Sequence, residues 1–564
     1  MKKLINIILA TIMVISCFSF TGCKKEEGVL TLNVYNWEDY ICKDEDADLI
    51  ADFEVFASQK YGKKVVVNYS TFGTNENMYN ELQLSKVETE NGYDYGYDLV
   101  CPSDYMIQKM INEDMLEKLD RSIPEGNKGS LSNYYEYSSK YILDLFDSYG
   151  WTEYACGYMY GTMGFVYNPE VLSRSGEYQE GDESHWDFPW KTYSKNLGTI
   201  KDSIRDTYAL ALGRVYTEEL KGLAGQYKSG ELTDEKYQEK LVEIFNRTDE
   251  ATVKKVTDEL IELKGNVYGF EVDSGKRDMA SGKIAINFAW SGDAVYTLDI
   301  AEEDGTILYY TVPEEGSNIW FDGWVMPKGA NVELAQEFIN FLADPDNAVK
   351  NMNFIGYTPV VSGSTMLDNA IDWYGPWILL ETDDAENADF IDEDTEKAYL
   401  EYRFQDAFDE GLIEETADDV YDLRYALYDE NDEEIIGFEY VEGVQLYRYD
   451  VSYLLNTRNE QDEMFVWTDT LGRQLETQYP QKDTVIRCAI MKNFSDSEMK
   501  LLNDMWDEVK VSAIPSWLMW LIVIILIAVI IFAPILSYLN KKGVTINFKL
   551  KRNDLTLVKR EEIK

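Results

Sequence analysis

Directly after a stretch of alternating character (residues 29–35), the chain reads Tyr35-Asn36-Trp37-Glu38-Asp39-Tyr40, rings flanking two carboxylates. A second such group is Asn318-Ile319-Trp320-Phe321-Asp322-Gly323-Trp324, in which Trp320 and Asp322 share one face if the segment is a strand. A third ring, Trp290, closes the apolar run 284–289 and precedes Ser291-Gly292-Asp293, a turn without catalytic spacing. Carboxylates suit a protonated amine, which cannot shed its water without compensation. Ring faces cover methylene groups, at roughly 0.8 kcal/mol per buried CH₂, and attract each ammonium by about 0.5–2 kcal/mol. Such groups fit a flexible cation whose amines are joined by short alkyl segments. Each also has an ordinary reading, a core tryptophan beside a solvent-facing turn aspartate.

The elements that must position these residues follow from periodicity. Strand-like pieces at 29–35, 65–69, 97–101, 164–168 and 284–289 alternate with helical spacing at 46–61, 78–87, 106–119 and 332–342. That rhythm predicts an α/β fold with largely parallel sheets. Two segments depart from it. Residues 214–264 are charged and helical in pattern, expected as a helical excursion. Residues 366–475 are strongly acidic but carry strand-like pieces at 435–440 and 444–453, expected as a folded α+β insertion.

The 564 residues carry a net charge of −51, with 45% hydrophobic and 14% aromatic residues, including 41 Tyr and 13 Trp. This acidity excludes a nucleic-acid partner, whose phosphates would be repelled. At the N-terminus, Lys2 and Lys3 precede an apolar run (4–20) and the small residues Thr21 and Gly22, a secretory signal over 1–22. Phe20-Thr21-Gly22-Cys23 resembles a lipobox, with Phe20 departing from the usual aliphatic residue. Cys23 is therefore expected to carry lipid and 23–28 to be a tether. Residues 517–538 are almost unbroken apolar, bordered by Trp517, Trp520 and Tyr538, and predict a transmembrane helix over 515–539. The basic tail 540–564 would be cytoplasmic, leaving the bulk of the chain on the extracytoplasmic side of the cell membrane. Cys42, Cys101, Cys156 and Cys488 lack metal spacing and are expected as buried thiols, with a pairing of Cys42 or Cys101 left open. The single histidine, His185, lies in a polar stretch expected at the surface. With no nucleophile or phosphate-loop motif, no enzyme, cofactor or metal is expected.

Ordered blocks carry a wider resemblance: LNVYNWEDYI (32–41), TNENMYNEL (74–82), YDLVCPSDYMIQKMINEDMLEKLD (97–120), GTMGFVYN (161–168), KDSIRDTYALAL (201–212), AINFAWSGDA (285–294), NIWFDGWVMP (318–327), FIGYTPV (354–360) and QYPQKDTVIRCAIMKNF (478–494). In these the chain resembles the spermidine/putrescine-binding proteins of ATP-driven polyamine uptake systems, within the bacterial extracellular solute-binding proteins. The resemblance spans residues 30–365 and 476–510. It implies a two-lobed periplasmic-binding-protein-like fold of type II, with lobe 1 from 29–150 and 318–365 and lobe 2 from 151–317 and 476–512, the insertion 366–475 lying outside it. It also implies capture of putrescine or spermidine by cleft closure and delivery to a permease and ATPase on separate chains. The alternative is a membrane-tethered receptor that uses the same fold to sense a small cation.

Carried over residue by residue, the resemblance places Trp37 and Tyr40 on the methylene chain and Asp39 opposite an amine. Ser103 and Tyr105 occupy the second strand-end position. Trp290 and Trp320 would sandwich the alkyl segment, Asp322 would pair with an ammonium, and Tyr357 would close the pocket. Asp206 is an acid of the other lobe, and Ser203-Ile204-Arg205-Asp206 also has capping-box spacing. Ser203, Met491 and Glu38 depart from the pattern, which leaves the preferred amine open.

Overall fold

The computed structural model describes residues 28–511 apart from 45–46, 91, 123–127, 273, 393–394, 429–433 and 470–472. The signal segment, Cys23, the apolar stretch 517–538 and the basic tail lie outside the described residues. Among the described residues no helix is long and apolar enough to cross a membrane.

Eleven strands form the main sheet: β1 (Val29–Trp37), β2 (Lys64–Phe72), β3 (Leu99–Val100), β4 (Ala155–Tyr167), β5 (Gly198–Lys201), β6 (Gly269–Glu271), β7 (Ile286–Trp290), β8 (Tyr309–Thr311), β9 (Ser317–Val325), β10 (Thr358–Pro359) and β11 (Cys488–Ala489). The path runs β2-β1-β3-β9-β4-β7-β5-β6, with β8 and β10 on β4 and β11 on β9. β1 pairs parallel with β2 from Val29 opposite Lys64 to Trp37 opposite Phe72. The crossover between them is the helix Leu49–Tyr61. Asp48 caps its first turn by accepting from the amides of Ile50 and Ala51, and Gly62 ends it in the left-handed region.

Parallel pairing holds at both flanks, in β1–β2, β1–β3, β5–β6 and β5–β7. The centre corrects the expectation of a largely parallel sheet. There β4 is antiparallel to β9 and to β7, because both long strands cross from one half of the molecule to the other. Two cores lie on either side of that crossing. Leu32, Val34, Phe146 and Phe321 belong to one; Met163, Phe165, Ile286 and Phe288 belong to the other. The architecture is therefore a two-lobed α/β fold crossed by β4 and β9.

The charged segment 214–264 is helical, as its pattern predicts, and it packs onto the second lobe. Its helices Thr217–Lys228, Asp234–Phe245 and Glu250–Lys264 bury Leu220, Tyr237, Leu241 and Leu260 in the second core. Apolar residues at helical spacing form one inward stripe, and the charges occupy the other face. The last described helix, Asp496–Val511, adds Leu502, Met505 and Val509 to the same core.

Between the helix Ser364–Tyr374 and residue 468 lie two three-stranded antiparallel sheets. One is built from Trp377–Thr382, Phe390–Asp392 and Lys397–Arg403, the other from Glu415–Ala417, Val420–Tyr428 and Glu434–Gln445. They share a small core of Ile378, Phe404, Tyr421, Leu423 and Trp467, while Val451, Leu454 and Val466 reach into the first lobe's core. Cys42, Cys101, Cys156 and Cys488 are buried free thiols. His185 is not a plain surface residue, because its Nδ1 lies 2.9 Å from the buried carboxylate of Glu315.

Candidate functional site

The candidate residues gather where strand ends of both lobes meet the crossing strands. The loop after β1 is pinned by Asn36. Its buried side chain donates to the Tyr69 hydroxyl (2.9 Å) and the Tyr40 carbonyl (3.3 Å), and accepts from the Trp37 amide (2.9 Å). This turn folds Tyr40 back so that its hydroxyl donates to Asp322 Oδ2 at 2.8 Å. Asp39 adopts the left-handed conformation (φ 51°) and is exposed. Trp37 packs on Phe72, with centroids 4.6 Å apart, and its buried Nε1 has no hydrogen-bond partner among the described residues.

Ser103 precedes the helix Asp104–Asn112 and bridges to Asp322. Asn75 holds it in place, accepting from the Ser103 amide (3.1 Å) and donating to its hydroxyl (3.0 Å). Tyr105 donates to Glu76 (3.0 Å), and its ring lies 4.2 Å from the Arg205 guanidinium of the other lobe.

On β9, Trp320 sits opposite Gly161 of β4. A Cβ at Gly161 would come within 2.6 Å of both the Trp320 ring and the Ser291 hydroxyl, so only glycine admits the indole there. A register shift follows Asp322. Tyr357 follows Gly356, which ends the helix Pro345–Ile355 in the left-handed region. Its ring meets Tyr40 edge-on at 5.3 Å and Trp320 at 5.7 Å, and it passes so close to Gly292 that a Cβ there would fall inside it. The Tyr357 hydroxyl donates to Asp293 Oδ1 at 2.9 Å.

The second lobe supplies Lys201 from the end of β5. Its Nζ donates to Asp293 Oδ2 (2.9 Å) and the Val272 carbonyl (2.8 Å), and lies 4.3 Å over the Trp290 ring. Asp206 accepts from Ser203 and from Trp290, while Ser203 caps the helix Ile204–Val215 by accepting from the Asp206 amide. Asp206 thus takes part in a capping arrangement and borders Trp290 as well.

These contacts make one path through the molecule: Asp322, Tyr40, Tyr357, Asp293, Lys201, Trp290, Asp206. Trp320 and Ser103 flank its first end, while Trp37, Tyr105 and Asp39 stand at its margin. Burial pushes Asp322 up to about 6, only partly offset by the Ser103 and Tyr40 hydroxyls, and its buried Oδ1 has no partner among the described residues. Asp104 is likewise pushed up by burial to about 7, against the pull of the Tyr105 amide and Arg205, with its Oδ2 unpartnered among the described residues. Asp206 is raised, also by burial. Burial acts on Asp293 in the same sense, but Lys201 and Lys276 outweigh it and hold that carboxyl below its usual range. The lobes also touch outside this path, through Arg205 on Tyr105 and through Lys109, 3.6 Å from Asp496.

Asp104, Lys201, Arg205 and Asp293 were not among the residues expected in the site. Asp104 lies between two that were, and Asp293 lies in the first turn of the helix Ser291–Glu303, which stands where a turn is expected after Trp290, so proximity in sequence is the available signal. Nothing local announces Lys201, whose partner Asp293 is 92 residues away.

Residues 49–374 match the family described as bacterial extracellular solute-binding protein. The chain belongs to that family. Among curated solute-binding relatives, the spermidine/putrescine-binding periplasmic protein of Salmonella typhimurium is 28% identical over 339 residues, 60% of this chain and 80% of the relative. The putrescine-binding periplasmic protein of Escherichia coli is 27% identical over 374 residues, 65% of this chain and 87% of the relative. Among solved solute-binding structures, the spermidine/putrescine transporter substrate-binding protein of Streptococcus pneumoniae aligns with a TM-score of 0.47 at 22% identity, covering 86% of this chain and 99% of that one.

Proposed function

We propose that this solute-binding protein captures a linear polyamine outside the cell membrane and passes it to the permease of an ATP-driven importer. The observation that carries this reading is Asp322: a buried carboxylate with one oxygen unpartnered, walled by the rings of Tyr40, Trp320 and Tyr357. An ammonium supplies the missing partner, and the three rings replace water around the adjoining methylenes. In this reading Asp206 takes the second ammonium, Trp290 covers the alkyl segment, and Ser103, Tyr105, Trp37 and Asp39 close the margins.

Capture proceeds by closure on β4 and β9. Ligand bound to one lobe favours the closed state because only closure brings both acids and all the rings to bear on it. Lobe 1 comprises 29–150 and 318–365, and lobe 2 comprises 151–317 and 476–512. The insertion 366–475 lies outside the cleft. Lipid on Cys23 and a span at 515–539 would hold the protein beside its permease, since a single acyl chain anchors only marginally.

Calorimetric titration of the purified full chain with putrescine and with spermidine tests this function. Saturable binding of at least one is expected, and absence of binding by both refutes the assignment.

A further inference from the structure

The acids along the cleft path fall into two groups. Asp293 is saturated: Lys201 lies at 2.9 Å, Lys276 at 3.3 Å, and the Tyr357 hydroxyl takes its remaining capacity. Glu271, 3.5 Å from the same Lys201 Nζ, also accepts from the Gly275 amide and from Asn287. By contrast, Asp322 and Asp206 on the path make no ion pair among the described residues, and neither does Asp104, which stands off the path and feels the charge of Arg205. The next cation, Arg205, is held between the Tyr105 and Phe494 rings and donates to the Lys492 carbonyl.

Lys201 therefore makes, from within the protein, the contacts a ligand ammonium would make. Its amine lies over the face of Trp290, against one carboxylate, with a backbone carbonyl completing its donors. It is almost wholly buried and fixed by charge on both sides, so it does not vacate that position readily.

Resting on the polyamine-capture reading above, we infer that Lys201 sets the specificity of the cleft for a linear diamine, by standing as a resident ammonium between the two acids left for ligand. A diamine places one charge at Asp322 and one at Asp206, with its methylenes on the rings between. A triamine must bring a further ammonium toward Lys201, where every nearby carboxylate already has a cation and like charges meet in a poorly solvated space.

The test is calorimetry on the full chain with putrescine as the diamine and spermidine as the triamine, in wild type and Lys201→Met. Wild type should favour the diamine by about tenfold or more, and Lys201→Met should narrow that ratio by about tenfold, chiefly through tighter triamine binding. If Lys201→Met does not fold, the double variant Lys201→Met/Asp293→Asn removes both charges of the pair and should narrow the ratio in the same way. Equal or tighter triamine binding by wild type overturns the inference and leaves polyamine capture standing. An unchanged ratio in a folded variant also overturns it, reducing Lys201 to a structural partner of Asp293. Wild type that binds neither amine overturns the proposed function, and this inference with it.

Discussion

Asp322 and Asp293 are the same residue type, equally buried (5% and 4% exposed), and each accepts a hydrogen bond from a tyrosine hydroxyl on the same path. Their protonation behaviour is opposite. Asp322 has hydroxyls but no ion-pairing cation among the described residues, so desolvation wins and its charged form is disfavoured. Asp293 has two lysines, so the Coulomb attraction wins over the same desolvation. One end of the path is left incomplete by the protein and the other is finished. The difference separates a carboxylate kept for a ligand from one kept for the fold.

Exchanging each acid for its amide should break this comparison most visibly. Asp322→Asn should weaken amine binding about 100-fold, since the buried partner of an ammonium is worth roughly 2–5 kcal/mol. The same change should raise the melting temperature of the unliganded protein, because the raised acid costs about 3 kcal/mol at neutral pH. That penalty grows as pH rises from the unfolded value near 3.9 to the folded value of about 6, and is constant above it. Asp293→Asn should do the reverse. It leaves Lys201 buried with one carboxylate fewer, destabilising the fold by about 3 kcal/mol, with the smaller effect on diamine affinity. Its stabilising contribution is present above the unfolded value and is lost only as pH falls through its depressed folded value. Melting curves and titrations of both variants check this; stability changes of the same sign would erase the distinction.

Lowering pH sharpens the contrast without mutation. Between pH 7.5 and 5 the free protein gains a proton at Asp322 and another at Asp104, and Asp206, raised by burial, moves in the same direction. Asp293 stays ionised and Lys201 stays charged, its Asp293 and Glu271 partners outweighing burial. Diamine affinity should therefore fall about tenfold by pH 5, one unit below the Asp322 value. Asp322→Asn should show a flatter profile. An equally steep profile in that variant would assign the pH dependence elsewhere.

The two ends of the path were unequally legible. The Asp322 end could be read because rings and acids alternate within short strand-end segments, and a strand's period of two places Trp320 and Asp322 on one face. The register shift after Asp322 and the glycine opposite Trp320 depend on strand pairing, which no local pattern encodes. The other end depends on contacts between distant residues. Lys201 reads as one charge among many beside Asp202, and only the fold brings β5 against the helix Ser291–Glu303 that follows β7. The helical segment 214–264 was legible as helix from its pattern, but not where it packs: the stripe of Leu220, Tyr237, Leu241 and Leu260 builds the second lobe's core, a contact between distant residues.

The smallest effect belongs to the remaining acid of the first wall. Asp39 sits one residue from Tyr40, but its left-handed backbone turns the chain there, and it is solvent-exposed while Tyr40 is buried. An exposed carboxylate near a bound ammonium acts through water and contributes about 0–1 kcal/mol. Asp39→Asn should therefore weaken diamine binding only about threefold at low salt, and that loss should vanish as ionic strength rises. Asparagine also tolerates the left-handed conformation, so the loop geometry is kept and the charge alone is tested. A salt-insensitive loss as large as that of Asp322→Asn would place Asp39 in direct contact with the ligand and add a ligand-facing acid to the Asp322 end, which would undo the one-acid-per-end arrangement on which diamine selectivity depends.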